Sequence, residues 1–142
     1  MAPRHPPIRI GTSGWHYDGW IGPFYPEGTR KKDLLRVLAT HFATAEINSS
    51  FYRLPSEKAV AAWREQVPDG FLFAWKASRF VTHNKKLLGV EDSVRLIMER
   101  MAGLEDRLGP VLWQLPPSLG PDLDRLGRFL DLLPRDSRHV VE

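Results

Sequence analysis

Short apolar runs begin near Ile8, Thr44, Phe71, Val111 and His139, and in the stretches between them apolar residues recur three and four positions apart. A period of two residues or a continuous apolar run marks a strand, and a period of 3.6 marks a helix, so the chain alternates strand and helix. The expected strands are Ile8 to Gly11, Thr44 to Asn48, Phe71 to Lys76, Val111 to Leu115 and Arg138 to Glu142. Leu34, Leu35, Val37, Leu38 and Phe42 form one helical stripe. Val60 and Trp63 form a second, opened by Pro55-Ser56-Glu57 and closed near Pro68-Asp69-Gly70. Val94, Ile97, Met98, Met101, Leu104 and Leu108 form the longest, and Gly109-Pro110 should end it. Pro121-Asp122 opens the last, which carries Leu123, Leu126, Phe129, Leu130 and Leu133. Between Gly14 and Pro26, glycine, proline and aromatic residues are too dense for a helix and predict a long ordered loop.

Successive strands start 36, 27, 40 and 28 residues apart, close to the ~30 residues of one βα unit. Alternating units of this kind build a parallel sheet, with the chemistry at the carboxyl ends of its strands. Two α/β architectures fit. One is a TIM-like (βα) barrel of which the chain supplies about the first half, four βα units plus a fifth strand. The other is an open doubly wound sheet. The long first loop, an ending inside an apolar run and the lack of a phosphate-binding glycine fingerprint after the first strand favour the half barrel. The domain reading is a flexible, proline-rich tail over residues 1–7 and a single, C-terminally truncated barrel domain over 8–142.

Composition narrows the function classes. The 142 residues carry a net charge of +3, a mild basic balance without Lys/Arg tracts, which permits an anionic partner without requiring one. There is no cysteine, which removes disulfides, thiol nucleophiles and thiolate metal sites. No apolar stretch approaches a membrane span of ~18 residues, and the first seven residues lack the apolar segment of a signal peptide, so the expected location is cytoplasmic with no membrane partner. Gly11-Thr12-Ser13-Gly14 has the spacing of neither a dinucleotide loop nor a nucleophile elbow, and no Walker or His-Glu-x-x-His motif occurs. No nucleotide cofactor is expected. Asn48-Ser49-Ser50 matches a glycosylation sequon but follows an expected buried strand.

Placed on βα geometry, Ser13, Trp15, Glu46, Asn48, Lys76, Arg79, His83, Gln114 and Glu142 lie at or just beyond strand ends and face one mouth. Glu46 sits between Ala45 and Ile47, where its carboxylate needs a partner or a task. Two readings stay open: a salt bridge to Lys76, or a catalytic role. Lys76 in a desolvated mouth would serve as base or nucleophile. Lys76, Arg79 and His83 together suit a phosphate or carboxylate, whereas Lys85 and Lys86 read as a solvated basic loop. Trp15 and Tyr52 are the candidate stacking surfaces, while Trp20, Phe24 and Tyr25 read as packing that holds the first loop. Glu46 and Glu142 with His83 would supply oxygen and nitrogen ligands if a divalent metal is used.

Gly11-Thr12-Ser13-Gly14-Trp15, Phe24-Tyr25-Pro26, Glu46-Ile47-Asn48-Ser49-Ser50-Phe51-Tyr52, Phe73-Ala74-Trp75-Lys76 with Arg79 and Thr82-His83, and Gln114-Leu115-Pro116 closely resemble, in this order, motifs of the YecE-like family, the domain of unknown function 72. The resemblance runs over nearly all of Ile8 to Glu142 and implies a TIM-like barrel. Ser50 stands where the family commonly has Thr, and His139 to Glu142 resembles the opening of a family motif that would continue Phe-Arg-His. The leading expectation is a barrel enzyme acting on an anionic, phosphorylated or nucleic-acid substrate by hydrolysis or acid/base chemistry. Glu46, Lys76 and His83 would be the catalytic residues, with Glu46 as acid, base or metal ligand; Lys76, Arg79 and His83 would hold the anion, and Ser13, Asn48, Gln114 and Glu142 would line the site. A noncatalytic nucleic-acid or polyanion module is the alternative. An incomplete half barrel that self-associates through its open edges is the third.

Overall fold

The computed structural model describes residues 8–142, so the expected tail over 1–7 lies outside the described residues. The strands are β1 (Thr12–Ser13), β2 (Thr44–Ile47), β3 (Leu72–Lys76), β4 (Leu108–Trp113) and β5 (His139–Val141). Between them lie α1 (Leu34–His41), α2 (Glu57–Gln66), α3 (Glu91–Met101) and α4 (Leu123–Leu132). The strands form one parallel sheet in the order β1-β2-β3-β4-β5. A doubly wound sheet reverses its order at a switch point, and this one does not. With right-handed crossovers throughout, sequential order sends every helix to the same face.

Burial follows from that one-sided cover. Ala45 and Ile47 of β2, Phe73 and Trp75 of β3, and Val111 and Trp113 of β4 join Leu34, Leu35 and Leu38 of α1, Val60 of α2, Val94, Ile97 and Met101 of α3 and Phe129 of α4 in one core. Their neighbours Thr44, Glu46, Leu72, Ala74, Lys76 and Leu112 are half-buried on the opposite face. That face mixes polar Thr44, Glu46 and Lys76 with apolar Leu72, Ala74 and Leu112, so β2 departs from the two-sided apolar pattern of a covered parallel sheet while β4 keeps it. Glu46 lies on the open side.

Two expected boundaries move. Pairing of the first strand begins at Thr12 opposite Ala45, not at Ile8, and Ile8, Arg9 and Ile10 are exposed. Arg9 instead ties this segment down through its side chain, which donates to the carbonyls of Ala43 and Gly70. The fourth strand starts at Leu108 and runs through Gly109-Pro110, which the periodicity reads as a stop. A register irregularity against β3, between Phe73 and Trp75, accommodates the proline, whose missing N–H would otherwise break the ladder.

Gly109 is required sterically at that irregularity, because a Cβ there would stand 2.7 Å from the Phe73 carbonyl oxygen. Gly109→Ala is expected to lower stability by about 1–3 kcal/mol, as overpacking against backbone does. Urea unfolding measures this directly; an unchanged midpoint would mean that the two strands can separate without penalty.

The first loop is held as expected for Trp20, Phe24 and Tyr25. The Phe24 and Tyr25 amides both donate to the Trp20 carbonyl, and the buried Tyr25 hydroxyl donates to the Trp15 carbonyl at 2.8 Å. Burial pushes the Tyr25 phenol up to about 12. No helix among the described residues is long and apolar enough to cross a membrane.

Candidate functional site

The chain leaves β2 through a single 3-10 turn, Ser49–Phe51. Ser50 holds that turn against two strand ends at once: its buried hydroxyl lies 2.8 Å from the Ile47 carbonyl oxygen and 2.6 Å from that of Lys76. The turn delivers Phe51 to the end of β3, where the Lys76 Nζ sits 4.8 Å from its ring centroid. The His83 ring meets Phe51 edge-on at 5.1 Å, and Tyr52 does so at 5.0 Å while remaining 69% exposed. A cation over an aromatic face and a perpendicular, edge-to-face contact between rings are both favoured by the ring quadrupole. Phe51 thus organises Lys76, His83 and Tyr52 around itself.

His83 comes from a π-helical turn, Phe80–Asn84, closed by the Lys85 amide donating to the Phe80 carbonyl at 2.9 Å. Such wide turns are rare and are frequently found at functional sites. Lys86 and Leu87 follow with φ of 48° and 68°, a left-handed conformation costly for both side chains and held by the burial of Leu87. The Thr82 hydroxyl, itself buried, is 2.8 Å from His83 Nδ1. Burial lowers the His83 pKa from its ordinary 6.5, and the positive charges of Arg79 and Lys76 lower it further. Arg79 is exposed at the mouth of this cluster.

Glu46 accepts a hydrogen bond from the Ser13 hydroxyl at 2.7 Å. The two residues are register partners on the open face, where a cavity of about 560 Å³ is lined by both together with Arg9, Thr44 and Arg138. The salt bridge between Glu46 and Lys76 does not form. Glu46 aligns with Ala74, so Lys76 lies a full pleat further along β3 and takes the Phe51 face instead. Asn48 belongs to a small cavity of about 170 Å³ with Gly14, His16 and Tyr17. Gln114 and Glu142 stand at the ends of β4 and β5, where Glu142 bonds through its backbone to Trp113 and Leu115.

Trp15 corrects the expectation of a stacking surface. Gly14 takes a left-handed φ of 75°, and the chain turns Trp15 inward to 4% exposure, edge-on to Trp63 at 5.7 Å and against Phe73 at 6.0 Å. Its ring is core packing. Glu46, His83 and Glu142 do not converge either: among the described residues no three His, Asp or Glu side chains come together as ligands would. That donor set does not fit a metal centre. Sequence reasoning missed the central role of Phe51 and the bridging hydroxyl of Ser50; nothing in their local pattern distinguishes them from ordinary turn residues.

The family model described as protein of unknown function DUF72 matches residues 9–142. The chain belongs to the DUF72 family. This agrees with the resemblance carried by the five motifs from Gly11 to Pro116. Over 136 residues the chain is 34% identical to UPF0759 protein YecE of Escherichia coli K12, covering 95% of this chain and 47% of YecE. It is 27% identical over 116 residues to UPF0759 protein YunF of Bacillus subtilis, covering 78% and 40%. The crystal structure of a DUF72 family protein from Thermotoga maritima superposes with a TM-score of 0.76 at 26% identity, covering 94% of this chain and 54% of that one. A DUF72 family protein from Enterococcus faecalis gives 0.72 at 20% identity over 96% and 51%, which shows likeness of fold alone. The DUF72 chain described here spans less than half the length of the curated relatives it matches.

Proposed function

We propose that residues 8–142 form the first half of a TIM-like (βα) barrel and supply the anion-holding wall of its strand-end mouth, in an enzyme whose substrate carries a phosphate or similar anion. The observation that carries this reading is the grouping of Lys76, Arg79 and His83 beyond β3. Lys76 and His83 share the Phe51 ring, and among the described residues neither Lys76 nor Arg79 forms an ion pair with a carboxylate. Cations left without carboxylate partners around a ring are available to a ligand. Glu46 would act as the acid or base, oriented by the Ser13 hydroxyl, with Tyr52 against the apolar part of the substrate and Asn48, Gln114 and Glu142 completing the rim. A noncatalytic polyanion module accounts for the cations but gives no task to the inward Ser13–Glu46 pair.

His83 provides the test. It is held below its usual 6.5 by burial and by Arg79 and Lys76, so it is neutral at neutral pH and becomes a third cation on acidification. A bound anion favours that protonation. By linkage, affinity should then rise as pH falls from the pKa of the complex to the lowered value of the free protein, by up to about tenfold per unit of pH, and be flat on either side. Calorimetric titration with sulfate, whose charge is constant over this range, should show the rise in the native chain and its loss in His83→Asn. Binding that is independent of pH, or equally dependent in both proteins, would overturn this role of His83.

A further inference from the structure

The Ser49–Phe51 turn adjoins a groove of about 490 Å³ lined by Ser49, Arg53, Leu54, Pro55, Ser56 and Arg100. No acidic residue lines it, and the adjacent Glu57 is outside it. Arg53 is exposed on the loop into α2, and Arg100 reaches in, half-buried, from the last turn of α3. One Arg100 Nη donates to the Pro55 carbonyl, which pins the guanidinium against the loop. An arginine carries five N–H donors, so most of that fork is left for another acceptor. Among the described residues neither arginine forms an ion pair with a carboxylate, although seven other cations of the chain do.

We propose that this groove is a second anion subsite, and that the ligand of the strand-end mouth is a small molecule with two anionic groups, of the bisphosphorylated class. The proposal rests on the reading of Lys76, Arg79 and His83 as the first subsite. Phe51, which carries Lys76 and His83, is two residues from Arg53, so the Cα atoms of the residues that anchor the two cationic groups are no more than about 7 Å apart. The residue between them is Tyr52, whose largely exposed ring stands at the divide. Cation, ring, cation is the complement of anion, apolar middle, anion. Leu54 and Pro55 give the groove an apolar wall, which strengthens the hold of the arginines on a charged oxygen.

The experiment compares a bisphosphorylated sugar with the monophosphate of the same sugar at pH 7.5 and constant ionic strength. The native chain should prefer the bisphosphate at least about tenfold, the typical effect of one added charge-assisted contact. Arg53→Ala and Arg100→Gln should each remove about that factor for the bisphosphate and leave the monophosphate within twofold. Lys58→Ala removes an equal charge from the neighbouring helix turn and should change neither. Near-ultraviolet circular dichroism checks that Arg100→Gln keeps its packing, and the exposed Arg53 supplies the independent variant. An unchanged preference in both arginine variants overturns the second subsite, as does tighter binding of a single-stranded oligonucleotide with no preference between the two sugars. If Lys76→Ala leaves both sugar affinities unchanged while Arg53→Ala lowers the bisphosphate affinity, the first-subsite reading fails and the groove stands.

Discussion

Trp113→Ala is expected to destabilise the fold by about 3–5 kcal/mol, the range for emptying a buried tryptophan site. Trp113 is fully buried at the end of β4 and holds two later elements in place. Its ring meets Phe129 of α4 edge-on at 4.9 Å, and its Nε1 donates to His139 Nδ1 of β5 at 3.1 Å. With Nδ1 accepting, the proton of a neutral His139 is on Nε2 and is donated to the Pro134 carbonyl at 3.1 Å. The substitution opens a cavity under α4 and orphans a ring nitrogen in β5 together. Against a total stability of about 5–15 kcal/mol, that loss brings the chain near unfolding at room temperature. Trp113→Phe keeps most of the volume and should retain more than half of the lost stability. Urea unfolding of the three proteins decides the matter; a loss under 1 kcal/mol for the alanine variant would show that α4 and β5 are held some other way.

The second large effect concerns the strand-end cations. A hydrogen bond to a charged group contributes about 1.5–3 kcal/mol, so removing both Lys76 and Arg79 by Ala substitution should weaken sulfate or phosphate binding about a hundredfold or more. The single variants should each lose about tenfold, with a sum that departs from the double because both cations act on one anion and on His83. Lys85→Ala is the matched control: its Nζ lies over Phe80 at 5.7 Å, and binding should stay within twofold. Equal urea midpoints for all variants separate lost binding from lost folding. A double variant that still binds within threefold of the native chain would sink the anion-site reading.

The candidate site is partly legible in the sequence. That Lys76 ends a strand follows from the short apolar run it closes, and β2, β3 and α1 lie where the periodicity places them, whereas α3 stops at Met101 and leaves Leu108 to β4. That Arg79 and His83 fall beside Lys76 follows from a separation of a few residues. The errors share a cause. Gly109-Pro110 reads as the end of a helix, with the fourth strand starting only at Val111, yet a register irregularity against β3 takes Pro110 into that strand. Trp15 reads as a binding aromatic because it follows a strand end, yet the turn at Gly14 commits it to the core. Of the two readings open for Glu46, the salt bridge to Lys76 needs the pair side by side on adjacent strands, and the register separates them by one pleat.

Local pattern by itself determined the alternation of strand and helix, the parallel sheet and the chemistry carried at each strand end, because a period of two or 3.6 is written in neighbouring residues. The tertiary structure alone decided what depends on residues tens of positions apart. It set the sequential strand order, which leaves one face open, and the register that gives Glu46 to Ser13 and Lys76 to Phe51. It also brought Arg53 and Arg100 to one groove. Those outcomes are fixed by which surfaces pack together, and packing between distant segments leaves no local periodicity in the chain.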